Sequence, residues 1–473
     1  MANRWIEKPL GELGKALRAG KISSIDLHEE ARTRHRTYGP ALSAYRVWDE
    51  TRARAQAEAA DAAFRKGEDN GPLQGIPVSV KDLFGVDYLD TYAGTPKPLP
   101  DAWRSEGPVI RSVRAQNAVL TGKTHMVEFA FGGLGTNAHW PVPRNPWDMN
   151  VARVSGGSSS GAGVSLIEGS ALVALGSDTA GSVRVPASVT GTVGLKVTAG
   201  RWPTDGIVPL SPTFDTPGIL ARSVADTAIA FEVVDAYCAG RKMRAIATPA
   251  ALDGIRIGLA EQHFWDGCPD DIAGAVRDAL GELEKAGATL VPVELPEVEE
   301  AYALFRQGSV VSSELRAFVE SELPDWQDTL DPNVSFRMSS ALDLDDEEII
   351  RRRARLTEIA STANAGIKGV DIVITPTVPL TAPALADVVD GKAYSAANLQ
   401  TLKNTCIGNI LEFCAITLPV ALDAKGIPVG LQCMGAANTE ERLLSAALAI
   451  ERKLGTARDR LGAPPLATDN SRS

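Results

Sequence analysis

Apolar and polar positions follow two different patterns along this chain, and the change between them divides it into two parts. In the first part the spacing is helical: Ser23 and Asp26 form a capping-box pattern, and residues 49–65 are rich in alanine with interleaved charges. A glycine–proline pair then ends the helical spacing. We therefore expect residues 1–70 to form a helical N-terminal region packed on a core made by residues 71–473.

Beyond this region, short apolar runs bounded by turn residues predict strands, and longer stretches with apolar residues at helical spacing predict helices. The predicted strands span residues 76–80, 255–260, 289–293, 371–375, 416–421 and 429–433, and the predicted helices span residues 224–236, 270–286 and 440–453. Strands that alternate with helices indicate an α/β fold around a central mixed β-sheet.

One long stretch departs from this alternation. Residues 296–367 are polar and helix-prone, with an acidic run at 345–348 and a basic run at 351–353. Such runs are typical of the solvated face of a helix. We expect residues 296–367 to form a variable helical insertion within the single domain of residues 71–473.

Composition and charge exclude several classes of protein. The chain has 473 residues, of which 44% are hydrophobic and 23% charged, as in an ordinary globular protein. Its formal net charge of −11 argues against nucleic acid or an anionic membrane as a partner. There is no apolar run long enough for a membrane span and no secretory signal at the start, so we expect a cytoplasmic protein.

The cysteines and histidines give no sign of a disulfide or metal site. The five cysteines form no CxxC pair, and the five histidines lack the spacing of metal ligands. We therefore expect no metal and no other cofactor.

The centre of the chain is rich in glycine and serine. Residues 155–194 hold nine glycines, nine serines and only three charged residues, interleaved with apolar runs that require burial. Buried backbone groups need hydrogen-bond partners, and glycine allows the backbone to approach a ligand closely. This composition favours a packed, backbone-lined site over a flexible linker.

Two serine chemistries are compatible with this segment. Residues 157–161 match GxSxG with Ser159 as nucleophile, but that elbow needs an acid and then a histidine after the serine, and only His263 follows. A buried lysine is the alternative base, because burial lowers a lysine pKa and makes a neutral amine available. Lys81, at the end of a predicted apolar strand, fits this role, although a lysine at a strand end is more often structural.

Three motifs in order resemble those of the amidase signature enzymes. Gly-Ile-Pro-Val-Ser-Val-Lys-Asp at 75–82 is similar to the family's lysine strand, and Val-Ser-Gly-Gly-Ser-Ser-Ser-Gly at 154–161 to its glycine–serine loop. Gly-Ser-Asp-Thr-Ala-Gly-Ser-Val-Arg-Val-Pro at 176–186 is similar to its nucleophile segment, and Ser158 and Ser182 are 24 positions apart, as the family's two catalytic serines are. The resemblance implies the amidase signature fold, a mixed sheet covered by helices on both faces.

The resemblance also implies a role for each matching residue. Ser182 would be the nucleophile, Ser158, whose family counterpart lies in a cis peptide, would relay the proton, and Lys81 would be the base. The backbone N–H groups of Thr179, Ala180, Gly181 and Ser182 would bind the oxyanion. Asp178 and Arg184 would form a supporting ion pair.

Alanine at position 180 departs from the family pattern, in which glycine is common. Because a left-handed backbone is costly for alanine, we expect a negative φ at Ala180. The aromatic residues of the preceding segment, Phe129, Phe131, Trp140 and Trp147, are candidates for an acyl pocket, although such residues more often belong to a core.

The predicted activity is hydrolysis of a carboxamide to an acid and ammonia or an amine through a seryl acyl-enzyme with a Ser-Ser-Lys triad. The alternative is the A subunit of a glutamyl-tRNA amidotransferase, a glutaminase that passes ammonia to a partner, and the polar stretch 296–367 favours the free-standing hydrolase. We expect a small to medium, largely neutral amide as substrate, with an aromatic amide among the options. The family resemblance is compatible with a homodimer.

Overall fold

The computed structural model describes residues 4–249, 251–307, 309–340 and 344–468. Helices lie in every part of these ranges, and all nine predicted strands and helices are present, with ends within two residues of those expected. The helices are α1 (Leu10–Arg18), α2 (Ser24–Leu42), α3 (Glu50–Arg65), α4 (Pro108–Ala115), α5 (Ser160–Glu168), α6 (Arg184–Thr190), α7 (Val224–Cys238), α8 (Asp270–Lys285), α9 (Glu297–Gln307), α10 (Ser309–Glu322), α11 (Pro332–Ser340), α12 (Asp346–Gly366), α13 (Gly391–Leu402), α14 (Thr405–Ile410), α15 (Glu440–Leu454) and α16 (Ala457–Leu461).

The strands form a mixed sheet in the order β1-β3-β2-β4-β6-β5-β10-β11-β9-β7-β8. They are β1 (Tyr45–Trp48), β2 (Pro77–Lys81), β3 (Val119–Thr124), β4 (Val173–Asp178), β5 (Val193–Lys196), β6 (Thr216–Ala221), β7 (Arg256–Leu259), β8 (Thr289–Pro292), β9 (Ile372–Pro376), β10 (Cys414–Leu422) and β11 (Pro428–Gly435). Strands β3, β2 and β4 run parallel, as do β9, β7 and β8, and the remaining pairs are antiparallel. The predicted α/β fold with a central mixed sheet surrounded by helices is confirmed.

The N-terminal region is helical except at one strand. The capping box is present at α2, where Ser23 accepts a hydrogen bond from the Asp26 amide and the Asp26 side chain accepts one from the Ser23 amide. Strand β1 was not predicted from the sequence. It pairs antiparallel with β3 and so extends the central sheet from within the N-terminal region.

The glycine–serine segment forms strands and short helices despite its low helix propensity. Strand β4 lies between β2 and β6 and is buried along its whole length, and α5 packs against β4 and β2. Since β2 and β4 are parallel neighbours, their carboxyl ends lie at the same edge of the sheet. This edge brings the lysine motif and the nucleophile motif together.

Residues 296–367 are helical within the described ranges, where they form α9, α10, α11 and α12. Residues from all four helices line one side of a cavity in front of the sheet edge. None of the helices described in this structure combines the length and apolar character needed to cross a membrane.

Candidate active site

Lys81 lies at the carboxyl end of β2 and is fully buried. Its Nζ donates a hydrogen bond of 2.6 Å to Ser158 Oγ and one of 2.9 Å to Ser177 Oγ. Ser177 is reached because Val80 pairs with Leu175 in β4, which places the end of β4 beside the lysine. The strand register thus joins two motifs that are far apart in the sequence.

Burial changes the acid–base properties of Lys81. Desolvation lowers its pKa to about 7, while the negative charges of Asp215 and Asp178 oppose this shift. A substantial fraction of the amine is therefore neutral near neutral pH, as the sequence-based argument for a lysine base requires.

Ser158 lies in a loop held by a second glycine-rich segment. The peptide bond between Gly157 and Ser158 is cis. The Gly157 N–H donates to the Gly133 carbonyl at 2.7 Å, and the Val127 N–H donates to the Ser158 carbonyl at 3.1 Å. The segment of residues 127–133 thus fixes the backbone on both sides of this bond.

Ser182 follows β4 in a tight turn that leads into α6. Its backbone carbonyl accepts a hydrogen bond from the Ser159 N–H at 3.3 Å, which links the turn to the loop of Ser158. Ser182 lines a cavity of about 280 Å³, whereas Lys81 and Ser158 are fully buried and are not among the described lining residues. The arrangement places a hydroxyl at the cavity wall and a lysine–serine pair in the interior.

Asp178 and Arg184 form a fully buried ion pair across the turn of Ser182. Arg184 Nη2 lies 2.9 Å from Asp178 Oδ1, and Nε lies 3.1 Å from Oδ2. Burial alone would raise the pKa of Asp178, but the Arg184 guanidinium holds it well below its usual value. Asn409 and Gln432 accept the remaining Arg184 hydrogen bonds at 2.6 and 2.7 Å. The supporting ion pair expected from the sequence is present.

The turn before Ser182 depends on Gly181. Its φ is +131°, and a side chain there would meet Thr405 Oγ1 at 2.1 Å, so glycine is required. The Gly181 N–H donates to Asp178 Oδ1 at 2.8 Å. Ala180 has a negative φ, which confirms that alanine fits this position without strain, and its carbonyl accepts a hydrogen bond from Thr405 Oγ1 at 2.7 Å.

Asp215 holds the other end of this turn. Its Oδ1 accepts a hydrogen bond of 2.5 Å from Thr179 Oγ1, and its Oδ2 accepts the Leu210 and Ser211 N–H groups at 2.9 and 3.0 Å. Burial raises the pKa of Asp215 to about 6. The carboxylate therefore connects the loop of residues 210–215 to the turn that carries Ser182.

The cavity in front of Ser182 is mainly apolar. Four aromatic residues were candidates for this cavity from the sequence, and of these Phe131 is found among the described lining residues. Phe129 and Trp147 belong to hydrophobic clusters, and Trp140 packs edge-on against Tyr92. Within the described part of the chain, no group of three or more His, Cys, Asp or Glu side chains is placed to hold a metal ion.

Several residues of this site were not found from the sequence. Ser177 lay inside a recognised motif but had no assigned role, whereas Asp215, Thr405 and Asn409 lie outside the motifs. Asn409 is 225 positions from Arg184 in the chain. No local pattern marks such residues, because their contacts depend on tertiary packing.

Comparison with known proteins agrees with this geometry. The chain matches the Amidase family across residues 26–444. It is 47% identical over 457 residues to 2-amino-5-chloromuconic acid deaminase of Comamonas testosteroni, covering 97% of this chain and 98% of that protein. It is 31% identical over 489 residues to the A subunit of glutamyl-tRNA(Gln) amidotransferase from Anaeromyxobacter dehalogenans (strain 2CP-C), covering 96% and 97%. A crystal structure of an amidase superposes with a TM-score of 0.82 at 30% identity, covering 95% of this chain and 100% of that one.

The fold and these similarities define a hydrolase that acts on amide C–N bonds. The chain belongs to the amidase family, as its motifs predicted. The predicted activity is confirmed at this level: the enzyme hydrolyses amide C–N bonds, and the similarities are consistent with a small-molecule substrate. The amidotransferase protein is the more distant of the two named relatives.

Proposed function

We propose that this enzyme hydrolyses a small primary carboxamide to an acid and ammonia through an acyl-enzyme on Ser182. The observation that carries the proposal is the 2.6 Å contact between Lys81 Nζ and Ser158 Oγ in the protein interior, together with the position of Ser182 at the cavity wall. No histidine is needed as base in this scheme, because a lysine with a pKa of about 7 is available in neutral form.

The proton path begins when Ser182 Oγ attacks the substrate carbonyl carbon. Its proton passes to Ser158 Oγ while the Ser158 proton passes to neutral Lys81, which becomes an ammonium. The carbonyl π bond opens, and its electron pair becomes the oxyanion. The burial of Lys81 makes the amine a base, and its contact with Ser158 provides the relay.

The oxyanion requires N–H donors that are aimed at the cavity. We propose the backbone amides of Thr179, Ala180 and Ser182 for this role. The fourth amide expected from the sequence, that of Gly181, donates to Asp178 Oδ1 at 2.8 Å, so we assign it to the support of the turn instead.

Collapse of the tetrahedral intermediate completes the first half of the reaction. The C–N bond breaks, its electron pair stays on nitrogen, and the proton stored on Lys81 returns through Ser158 to give ammonia. Water then attacks the ester carbonyl, and the same relay accepts its proton. When this second tetrahedral intermediate collapses, the carbonyl re-forms, the bond between the acyl group and Ser182 Oγ breaks, and the relay returns the proton to Ser182 Oγ as the acid is released. Atoms and charges balance without any cofactor.

Ammonia is the leaving group favoured by the comparisons. The relative that is 47% identical is called a deaminase of 2-amino-5-chloromuconic acid, and this name supports ammonia release from a small acid here. The alternative, a glutaminase component of an amidotransferase, is supported by a relative at 31% identity. We therefore propose a free-standing enzyme that needs no second protein for turnover.

The test is ammonia release by the purified single chain from a panel of aliphatic, aryl, amino-acid and monoamide substrates. Ser158→Ala should reduce the rate at least about a hundredfold, because the relay is lost. Ser160→Ala is the matched control: Ser160 is the first residue of α5, two positions after Ser158, and its Oγ has no hydrogen-bond partner among the described residues. Equal rates for the two variants would contradict the relay, and turnover of glutamine only with a partner would support the amidotransferase alternative.

A further inference from the structure

The cavity in front of Ser182 has a marked charge asymmetry. Its described lining residues include three arginines, Arg306, Arg337 and Arg352, and neither aspartate nor glutamate. This is unusual for a chain whose formal net charge is −11. A mostly apolar cavity whose described lining holds cations and no carboxylate attracts a small anion.

The three arginines are not equivalent. Arg306 is exposed at the end of α9, and Arg352 Nε lies 2.6 Å from Glu348 Oε1, which offsets its charge. Arg337, on α11, is partly buried. One of its N–H groups donates to the Phe131 carbonyl at 2.6 Å, and its guanidinium lies over the Phe131 ring at 3.8 Å.

Two further observations favour Arg337 as the anion-binding group. Burial lowers its pKa, and an opposite charge placed nearby favours the charged form of such a group. Ser395, on α13, lines the same cavity, and its Oγ is buried without a hydrogen-bond partner among the described residues. A hydroxyl of this kind is satisfied by an oxygen of a bound ligand.

The position of Arg337 is fixed relative to the reacting groups. At the start of α11, the Asp331 N–H donates to Glu128 Oε2 at 2.6 Å, and Asp331 Oδ2 accepts the Ala138 N–H at 2.7 Å. Glu128 and Phe131 belong to the segment whose Val127 N–H also bonds to the Ser158 carbonyl. One loop therefore supports both Ser158 and the helix that carries Arg337.

We propose that Arg337, assisted by Ser395 Oγ, binds a carboxylate of the substrate while the C–N group lies at Ser182. This inference rests on the proposed function and specifies it: the substrate class is an anionic monoamide of a small dicarboxylic acid. This substrate class differs from the neutral amide expected from the sequence. The sequence contains no indication of a charged substrate, because nothing in the local sequence around Arg337 marks it as a cavity residue.

The test compares charged and neutral forms of one acyl group. Glutaramate and adipamate are each assayed beside their methyl ester amides with the wild type, Arg337→Met and Arg306→Met. We expect the wild type to prefer the anion and Arg337→Met to lower kcat/KM for the anion by about 10- to 100-fold, mainly through KM, with little change for the ester. Three results would overturn the assignment. They are an equal loss of kcat/KM on the anion and the ester in Arg337→Met, a wild-type preference for the ester, or a larger loss of kcat/KM for the anion in Arg306→Met than in Arg337→Met.

Titration calorimetry separates this inference from the proposed function. Glutarate and adipate, the products, should bind the wild type and bind Arg337→Met at least about tenfold more weakly. Loss of binding in Arg337→Met supports the carboxylate site even if the enzyme turns over no monoamide. In that case the proposed reaction is contradicted, but the carboxylate site is not. Unchanged binding in Arg337→Met contradicts the carboxylate site whatever the activity, and the thermal melting of both variants reports on their folding.

Discussion

Thr179 Oγ1 donates a hydrogen bond of 2.5 Å to Asp215 Oδ1. This contact ties the turn before Ser182 to a carboxylate whose negative charge also acts on Lys81. Asp215 therefore contributes to two parts of the site: it positions a backbone amide proposed for the oxyanion, and it opposes the loss of the Lys81 proton.

Asp215→Asn is expected to change both properties. Removal of the negative charge lowers the pKa of Lys81 further, so the acid limb of the kcat/KM profile should move to lower pH. The weaker hold on Thr179 should reduce kcat more than it changes KM. A pH–rate profile over the range from 5 to 9 measures both effects, and a uniform loss of activity with an unmoved acid limb would show that Asp215 is only structural.

The sequence marks the proposed reacting groups more clearly than their surroundings. Lys81, Ser158 and Ser182 lie in motifs with fixed spacing, and α2 and α7 begin at capping residues that can be identified locally. Helix α5 shows the limit of this approach: it begins inside a run of serines and glycines, and its formation depends on burial against β4 and β2.

Supporting residues were missed for a related reason. Asp215 reaches Thr179 from 36 positions away, and Arg337 reaches Phe131 from 206 positions away. A single sequence carries no signal for contacts across such separations. The chemistry of the cavity, including its positive charge, was therefore visible only after the helices of residues 296–367 were placed beside the sheet edge.

The pH dependence of the wild type follows from the pKa of Lys81, which is about 7. In the proposed mechanism the neutral amine is the base, so we expect a fall in pH to protonate Lys81 and remove activity, and a rise in pH to retain activity. We expect kcat/KM to fall about tenfold per unit below pH 7. Lys81→Met should remove this activity altogether.

Lys123→Met provides the control for this profile. Lys123 is also buried, on the neighbouring strand β3, and its Nζ donates to Thr91 Oγ1 at 2.6 Å. Its replacement should leave the acid limb near pH 7. If Lys123→Met moved that limb, or Lys81→Met retained it, the assignment of the base to Lys81 would be wrong.

The buried pair of Asp178 and Arg184 should control stability. Arg184→Met leaves a buried carboxylate without its cation, and we expect the free energy of unfolding to fall by about 3–5 kcal/mol. Arg355→Ala removes an exposed ion pair with Glu300 and should cost less than about 1 kcal/mol. Urea unfolding followed by circular dichroism measures the free energy of unfolding of both variants. Similar midpoints for the two variants would refute the predicted difference between the buried and the exposed ion pair.

The central claim is that Ser182 carries the acyl group, and intact-protein mass spectrometry during turnover tests it directly. With a slowly deacylating amide, the wild type should gain the mass of the acyl group, and peptide mapping should place it on Ser182. Ser182→Ala should show no adduct and no ammonia release, while Ser160→Ala should show the same adduct as the wild type. An adduct on Ser158 or Ser159, or ammonia release by Ser182→Ala at the wild-type rate, would contradict the mechanism.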